Sequence, residues 1–395
     1  FFMLLGLVGK PSCGKSTFFK ACTLANVLIA AYPFATIKPN HGVGYVKIDC
    51  IEKEFNTTCN PQKGYCVNGQ RFVPVELMDV AGLVEGASEG KGLGNEFLND
   101  LSNADAFIHI VDISGETDAG GKETKGYNPV NDIAMLEKEL DLWYLGILKK
   151  VWKVFSKSLH TEKASFAKAV AKQFSGLKVV EEDVKRVLLK TQLDGEKAAQ
   201  WTEEQLFLFS HSLRHLTKPM IIAANKMDKP ESEKNLLLLQ KTYPQLTIIP
   251  CAADYELTLR EAANHGFISY IPGESDFTIM KDLNEKQKSA LEHVRVFLKK
   301  NNGTGVQEVL NTLVFSILKY LPIFPAGANK LGDSKGNILP DCFLLPNGST
   351  ALDFAFFIHS DLGKNFIRAI DARSKKAIGK EYVLKSRDAL EIVTR

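Results

Sequence analysis

The sequence predicts an α/β fold: a nucleotide-binding domain interrupted by a helical insertion and followed by a small β-grasp domain. Three observations carry this. GKPSCGKS (9–16) stands between an apolar run and a helix-like run. A second apolar run ends in NKMD (225–228). From about residue 322 the texture changes to short strand-like runs around one capped helix.

The chain has 395 residues, enough for two or three domains. Its 45% hydrophobic and 24% charged content belongs to a soluble globular protein, and a net charge of +3 implies no particular partner. The cysteines (Cys13, Cys22, Cys50, Cys59, Cys66, Cys251, Cys342) are odd in number and scattered, which fits reduced thiols and a cytoplasmic location. FFMLLGLVG has the look of a signal peptide. It lacks a basic start and runs straight into a glycine loop, so it reads as a buried strand. No other run reaches the ~18 apolar residues of a membrane helix, and no membrane partner is expected.

Met3 to Val8 is the expected first strand, Gly9 to Gly14 a glycine loop, and STFFKACTLA a helix. Strand, loop and helix are the context a phosphate-cradling P-loop requires. Backbone N–H groups and the helix N-terminus would meet the phosphates. Lys15 would reach the β- and γ-phosphates, and Ser16 would place its hydroxyl on Mg²⁺. Gly9, Ser12, Cys13, Gly14, Lys15, Ser16 and Thr17 are therefore candidate nucleotide contacts.

DVAG (79–82) follows the strand-like RFVPVELMDV and precedes a glycine-rich loop. Asp79 would hold Mg²⁺ through water, and the Gly82 N–H would meet a γ-phosphate, with the loop acting as a switch. The next position, where Ras-like enzymes carry a water-orienting glutamine, is Leu83. Leucine cannot align a water, so slow hydrolysis is expected. KPMIIAANKMD ends a further strand. Asp228 can accept from N1–H and the 2-amino group of guanine, a donor pair adenine lacks. Asn225 would brace the loop, and the stem of Lys226 can pack on the base. Small residues at Cys251, Ala252 and Ala253 would let a backbone N–H, that of Ala252, reach guanine O6. In YPFATIKPN, Thr36 is the candidate to complete the Mg²⁺ shell.

In this order, GKPSCGKS, YPFATIKPN, DVAGLVEGASEGKGLGNEFL and NKMD resemble the Obg superfamily of GTPases, and the run from Asp79 to Leu98 resembles its YchF-like branch. The resemblance implies a G domain with a helical arm, a C-terminal TGS domain and a hydrophobic residue at the Leu83 position. YchF proteins proper alter N-K-x-D and favour ATP. The intact NKMD is similar to a GTP-preferring archaeal and eukaryotic sister group. Ser12 stands where many Obg relatives have an asparagine that helps bind potassium, and Ala35 where they usually have a first threonine.

Helical spacing recurs in NDIAMLEKELDLWYLGILKKVWKVF, EKASFAKAVAKQF, EEDVKRVLLKTQL and TEEQLFLFSHSLRHL. The G domain is expected at 1–128 and 217–321, the helical, coiled-coil-like insertion at 129–216 and the β-grasp (TGS) domain at 322–395. Between Lys149 and Lys190 there are 11 basic and 4 acidic residues, a net +7 that points to RNA or a ribosomal surface. Arg368, Arg373, Lys375, Lys376 and Lys380 form a second basic stretch. Thr350 and Asp353 read as an N-cap pair. Cys50, Cys59 and Cys66 straddle an expected hairpin, but zinc lacks a C-x-x-C pair and a fourth ligand there. His109 reads as packed core, and His41 and His359 lack convergent partners. The expected function is a GTP/GDP-binding, slow Mg²⁺-dependent GTPase switch working with ribosomes or RNA. The alternative is a nucleotide-stabilised interaction scaffold with negligible turnover.

Overall fold

A computed structural model describes residues 3–24, 41–80, 86, 101–161, 165–327, 331–333 and 335–395. The expectations for Thr36, Gly82 and Leu83 lie outside these residues.

The main sheet contains β1 (Leu4–Val8), β2 (His41–Asp49), β3 (Tyr65–Val67), β4 (Gln70–Asp79), β5 (Ala106–Asp112), β6 (Met220–Asn225) and β7 (Ile248–Pro250). Its order is β2-β4-β1-β5-β6-β7, with β3 also on β4. The strands from β4 to β7 along this order are parallel, whereas β2 and β3 run antiparallel to β4. Every residue of β1 and β5 is buried, as in strands covered on both faces. The turn between β3 and β4 is Asn68-Gly69, both at positive φ (52° and 79°), which suits a two-residue hairpin. Parallel strands bring their carboxyl ends, at Val8, Asp79, Asp112 and Asn225, to one edge, where ligands of such sheets bind.

Helix α1 (Lys15–Thr23) follows β1. Between β5 and β6 the chain forms α2 (Val130–Thr161), α3 (Phe166–Gln173), α4 (Glu181–Thr191) and α5 (Glu203–Thr217). Their apolar stripes close on a separate core that includes Tyr144, Phe166, Phe174 and Phe209. Among the described residues, no helix is long and apolar enough to cross a membrane. Helices α6 (Ser232–Thr242), α7 (Ala253–Asn264), α8 (Glu285–Asn301) and α9 (Val306–Asn311) follow, with a small hairpin of β8 (Ile268–Ser269) and β9 (Thr278–Ile279).

The C-terminal sheet has the order β11-β10-β14-β12-β13. It comprises β10 (Tyr320–Pro325), β11 (Phe343–Pro346), β12 (Phe366–Asp371), β13 (Ala377–Ile378) and β14 (Ala389–Thr394). Helix α10 (Ala351–Ile358) lies on it through Phe354, and a short α11 (Ser360–Lys364) follows. Thr350 and Asp353 cap α10 reciprocally: Asp353 N–H donates to Thr350 Oγ1 (3.2 Å) and Thr350 N–H to Asp353 Oδ2 (2.8 Å). Strand β10 begins at Tyr320, ahead of the expected change of texture, because it pairs with both β11 and β14.

The two basic stretches are less free than their composition implied. Arg373 pairs with Glu54 at 2.7 Å, Lys178 with Asp105 at 2.6 Å, and Lys149 with Glu203. Lys375, Lys376, Lys168, Lys172 and Lys190 are exposed.

Candidate functional site

The loop after β1 has the backbone that glycine permits. Gly9 takes φ 150° and Gly14 φ 96°. A Cβ at Gly9 would stand 2.5 Å from the Ile110 carbonyl oxygen, and one at Gly14 2.3 Å from Asn225 Nδ2. Ser12 is exposed at φ 60°. Cys13 is buried and its thiol is pushed up by burial, so it faces the site through its backbone alone. Gly14 then caps α1. The first N–H groups of a helix, here those of Lys15, Ser16 and Thr17, have no acceptor within it and attract anions. The Lys15 ammonium donates to the Gly9 carbonyl (3.0 Å) and the Lys10 carbonyl (2.9 Å), which holds it folded back over the loop.

Ser16 Oγ donates to Asp79 Oδ2 at 2.9 Å. Two residues 63 apart in sequence thus present a hydroxyl and a carboxylate side by side, hard oxygen donors that suit Mg²⁺.

At the end of β6, Asn225 Nδ2 donates to the Cys13 carbonyl at 3.0 Å, and Asn225 Oδ1 accepts the Ala253 N–H at 3.0 Å and the Cys251 thiol at 3.8 Å. One side chain therefore ties three loops together. Lys226 turns the chain at φ 67°, and its ammonium donates to Asp112 Oδ2 at 2.7 Å. Asp228 is mostly buried, with Lys229 Nζ 3.9 Å away. The structure differs from expectation at Ala252. Its N–H, assigned to guanine O6, donates to the Thr304 carbonyl at 2.9 Å, because the loop before α9 packs under this strand end.

Sequence reasoning missed a buried polar cluster beneath the phosphate loop. Asp112 accepts from Ser114 Oγ (2.6 Å), Thr117 Oγ1 (2.6 Å) and Lys226. Burial alone would raise its carboxyl, but these hydrogen bonds outweigh burial and hold it below the usual range. Lys10 Nζ donates to the Thr117 carbonyl (2.8 Å), pairs with Asp132 Oδ2 (3.0 Å) and lies 4.0 Å from the centre of the Tyr127 ring. Lys10 occupies a variable position of the loop motif. Its partner Thr117 lies 107 residues on in sequence, so no local signal marked it. His109 is fully buried in β5, as expected of packed core, and burial holds its imidazole down at about 3, hence neutral.

A glycine phosphate loop on a parallel sheet, a serine–aspartate oxygen pair and an N-K-x-D strand end together define a P-loop GTP-binding protein. Residues 4–150 match the family described as 50S ribosome-binding GTPase, residues 223–327 the Obg-like GTPase YGR210-like, G4 motif-containing domain, and residues 332–394 the TGS domain. The chain is 45% identical to the uncharacterized GTP-binding protein MJ1332 of Methanocaldococcus jannaschii, covering 99% of both. It is 31% identical to the ribosome-binding ATPase YchF of Buchnera aphidicola, covering 92% of this chain and 86% of that protein. A GTP-binding protein from Pyrococcus horikoshii superposes with a TM-score of 0.81 at 38% identity, covering 100% of each chain. The chain belongs to the Obg-like, YchF-related family of GTP-binding proteins.

Proposed function

We propose that this protein is a GTP-selective switch that hydrolyses GTP slowly with Mg²⁺ and engages ribosomes or structured RNA in its GTP-bound form. The observation that carries this reading is the Asn225 bridge, which fixes the NKMD loop against the phosphate loop. A base held by Asp228 and a phosphate chain held by Lys15 then belong to one nucleotide. A site that receives two donors from guanine discriminates strongly against a base lacking them.

Ser16 and Asp79, with Thr36, would hold Mg²⁺, which when bound would offset the negative charge of the phosphates. Lys15 contributes a further positive charge, and α1 its N-terminal dipole. Nothing at position 83 can orient a water, since the residue is leucine. Turnover by the chain alone should therefore be slow, on the order of 10⁻⁴ to 10⁻² per second.

The name of the Buchnera relative and the exposed lysines of the insertion and the C-terminal domain support the ribosome or RNA as partner. Phosphate contacts release counterions, so such binding should weaken with salt. The test is co-sedimentation with ribosomes in low and moderate salt, with a non-hydrolysable GTP analogue or with GDP. The reading requires more protein in the pellet with the analogue. Equal recovery in both states at every salt concentration would contradict it.

A further inference from the structure

The hairpin end of the main sheet, opposite the nucleotide edge, holds a second cluster of ligating groups. Cys50 precedes a short helical turn (Ile51–Phe55) that carries Glu52, Cys59 lies in the loop beyond it, and Cys66 sits in β3. The sequence showed no fourth ligand because the spacing C-x₈-C-x₆-C names only the thiols. Folding supplies Glu52. Cys50, Glu52 and Cys59 are buried and Cys66 is partly so, and one ligand atom from each lies within 4.8 Å of all the others.

The spacing fits a small tetrahedral ion. At a Zn–S length of about 2.3 Å, two thiolates on one zinc stand about 3.8 Å apart, and a thiolate and a carboxylate oxygen about 3.6 Å. Cys50 Sγ and Cys59 Sγ are 3.8 Å apart, and Cys66 Sγ and Glu52 Oε1 3.6 Å. The other Glu52 oxygen accepts the Cys59 N–H at 2.8 Å, which orients the carboxylate as outer hydrogen bonds orient metal ligands. Cys50 N–H is tied to the Gly69 carbonyl at 2.8 Å. Arg71, fully buried, stands opposite Cys66 across the β3–β4 ladder and sets a cation beside the cluster. Thiols are weak hydrogen-bond donors, so they add little to the compensation of the buried Glu52 carboxylate beyond the Cys59 N–H and Arg71.

We propose that Cys50, Cys59, Cys66 and Glu52 form a closed, structural Zn²⁺ site. Three sulfur ligands favour zinc over magnesium or calcium. With four protein ligands there is no open position, so the role is to hold the fold. The loop it closes clamps the approach to the C-terminal sheet. Asn60 N–H donates to the Ile338 carbonyl (3.0 Å) and Gln62 N–H to the Pro340 carbonyl (2.8 Å), while Arg71 donates to the carbonyls of Leu339 (3.0 Å) and Pro340 (3.1 Å). Arg71 and Asp79 lie at opposite ends of β4, roughly 25 Å apart at a strand's rise per residue. The zinc site is thus independent of the nucleotide site.

The experiment is titration of the reduced, metal-stripped full chain with Co²⁺, followed by Zn²⁺. The proposal expects saturation at about one equivalent, thiolate-to-cobalt charge transfer in the near ultraviolet, intense visible bands of a tetrahedral ion, and bleaching by Zn²⁺. Cys66→Ser should lower the charge-transfer intensity by about a third, one thiolate of three. Glu52→Gln should keep the charge transfer but shift the visible bands, and GTP binding should be unchanged in both variants. Zinc removal should lower the melting temperature and open 56–62 and 337–341 to proteolysis. Weak six-coordinate cobalt bands, no charge transfer in reduced wild type, or a Cys50–Cys59 disulfide in protein purified under reducing conditions would overturn the proposal. The wild-type titration decides the matter even where a variant fails to fold.

Discussion

Asn225 and Cys13 are 212 residues apart in sequence and joined by a hydrogen bond of 3.0 Å from the asparagine amide to the cysteine carbonyl. The bond crosses from β6 to the phosphate loop, and the same side chain accepts from Ala253. The half of the site that would read a base and the half that would hold phosphates are therefore positioned by one residue. Gly14 has to be glycine because a Cβ there would collide with that amide.

Asn225→Ala leaves the Cys13 carbonyl and the Ala253 N–H without their partner. At about 1–3 kcal/mol for each of the two groups left unpaired in the interior, the expected loss is roughly 2–6 kcal/mol. Nucleotide affinity should fall with it. Urea denaturation and a fluorescent-nucleotide titration measure both. A stable variant with wild-type affinity would show that the bridge positions nothing.

Lys15→Ala should remove triphosphate binding or turnover while the fold survives, since among the described residues the ammonium is held by two loop carbonyls. Ser16→Ala should raise the Mg²⁺ concentration needed for half-maximal activity. The readouts are GTP turnover against Mg²⁺ concentration and a melting curve. Normal GTPase activity in Lys15→Ala is the outcome that would contradict the assignment.

The Lys10–Asp132 pair is buried, each side chain being 1% exposed. Lys10→Met would strand the Asp132 carboxylate and should cost about 3–5 kcal/mol. Lys10→Met with Asp132→Leu should cost less than Lys10→Met alone, because no buried charge is then uncompensated. Denaturant midpoints of the three proteins test this ordering.

His109 makes stability depend on pH in a defined window. Both its ring nitrogens lack partners among the described residues, and burial lowers its pKa from 6.5 to about 3. An unfolded chain takes up this proton near pH 6.5 and the folded one does not. The stability is complete above that pH and is lost as pH falls towards 3. Between pH 7 and 5 the loss is about 2 kcal/mol. His109→Phe should remove that part of the pH dependence, measured as the change in denaturation free energy between the two pH values. An unaltered difference would mean that His109 is protonated in the fold.

The motifs were legible because each is local and lies at a strand end. GKPSCGKS and NKMD need only a strand before them, and β1 and β6 are marked by continuous apolar runs. The four-helix insertion was legible from its 3.6-residue spacing. What escaped were contacts between distant segments. Nothing near Ala252 announces that its N–H meets Thr304, and nothing near Cys50 announces Glu52 as a neighbour of Cys59 and Cys66. Lys10 looked like a filler position because its partners, Thr117 and Asp132, come from beyond β5. The basic stretch at 368–380 was overcounted because Arg373 finds Glu54, a residue 319 positions away.

In the proposed function, guanine is read by Asp228. The most direct measurement is competition of GTP, GDP and ATP for a fluorescent guanine nucleotide on the wild-type chain and on Asp228→Ala. GTP and GDP should compete at least about a hundredfold better than ATP on the wild type, the scale expected when paired donors are matched or missing. The preference should disappear in Asp228→Ala. Equal competition by ATP and GTP on the wild-type protein would contradict that function.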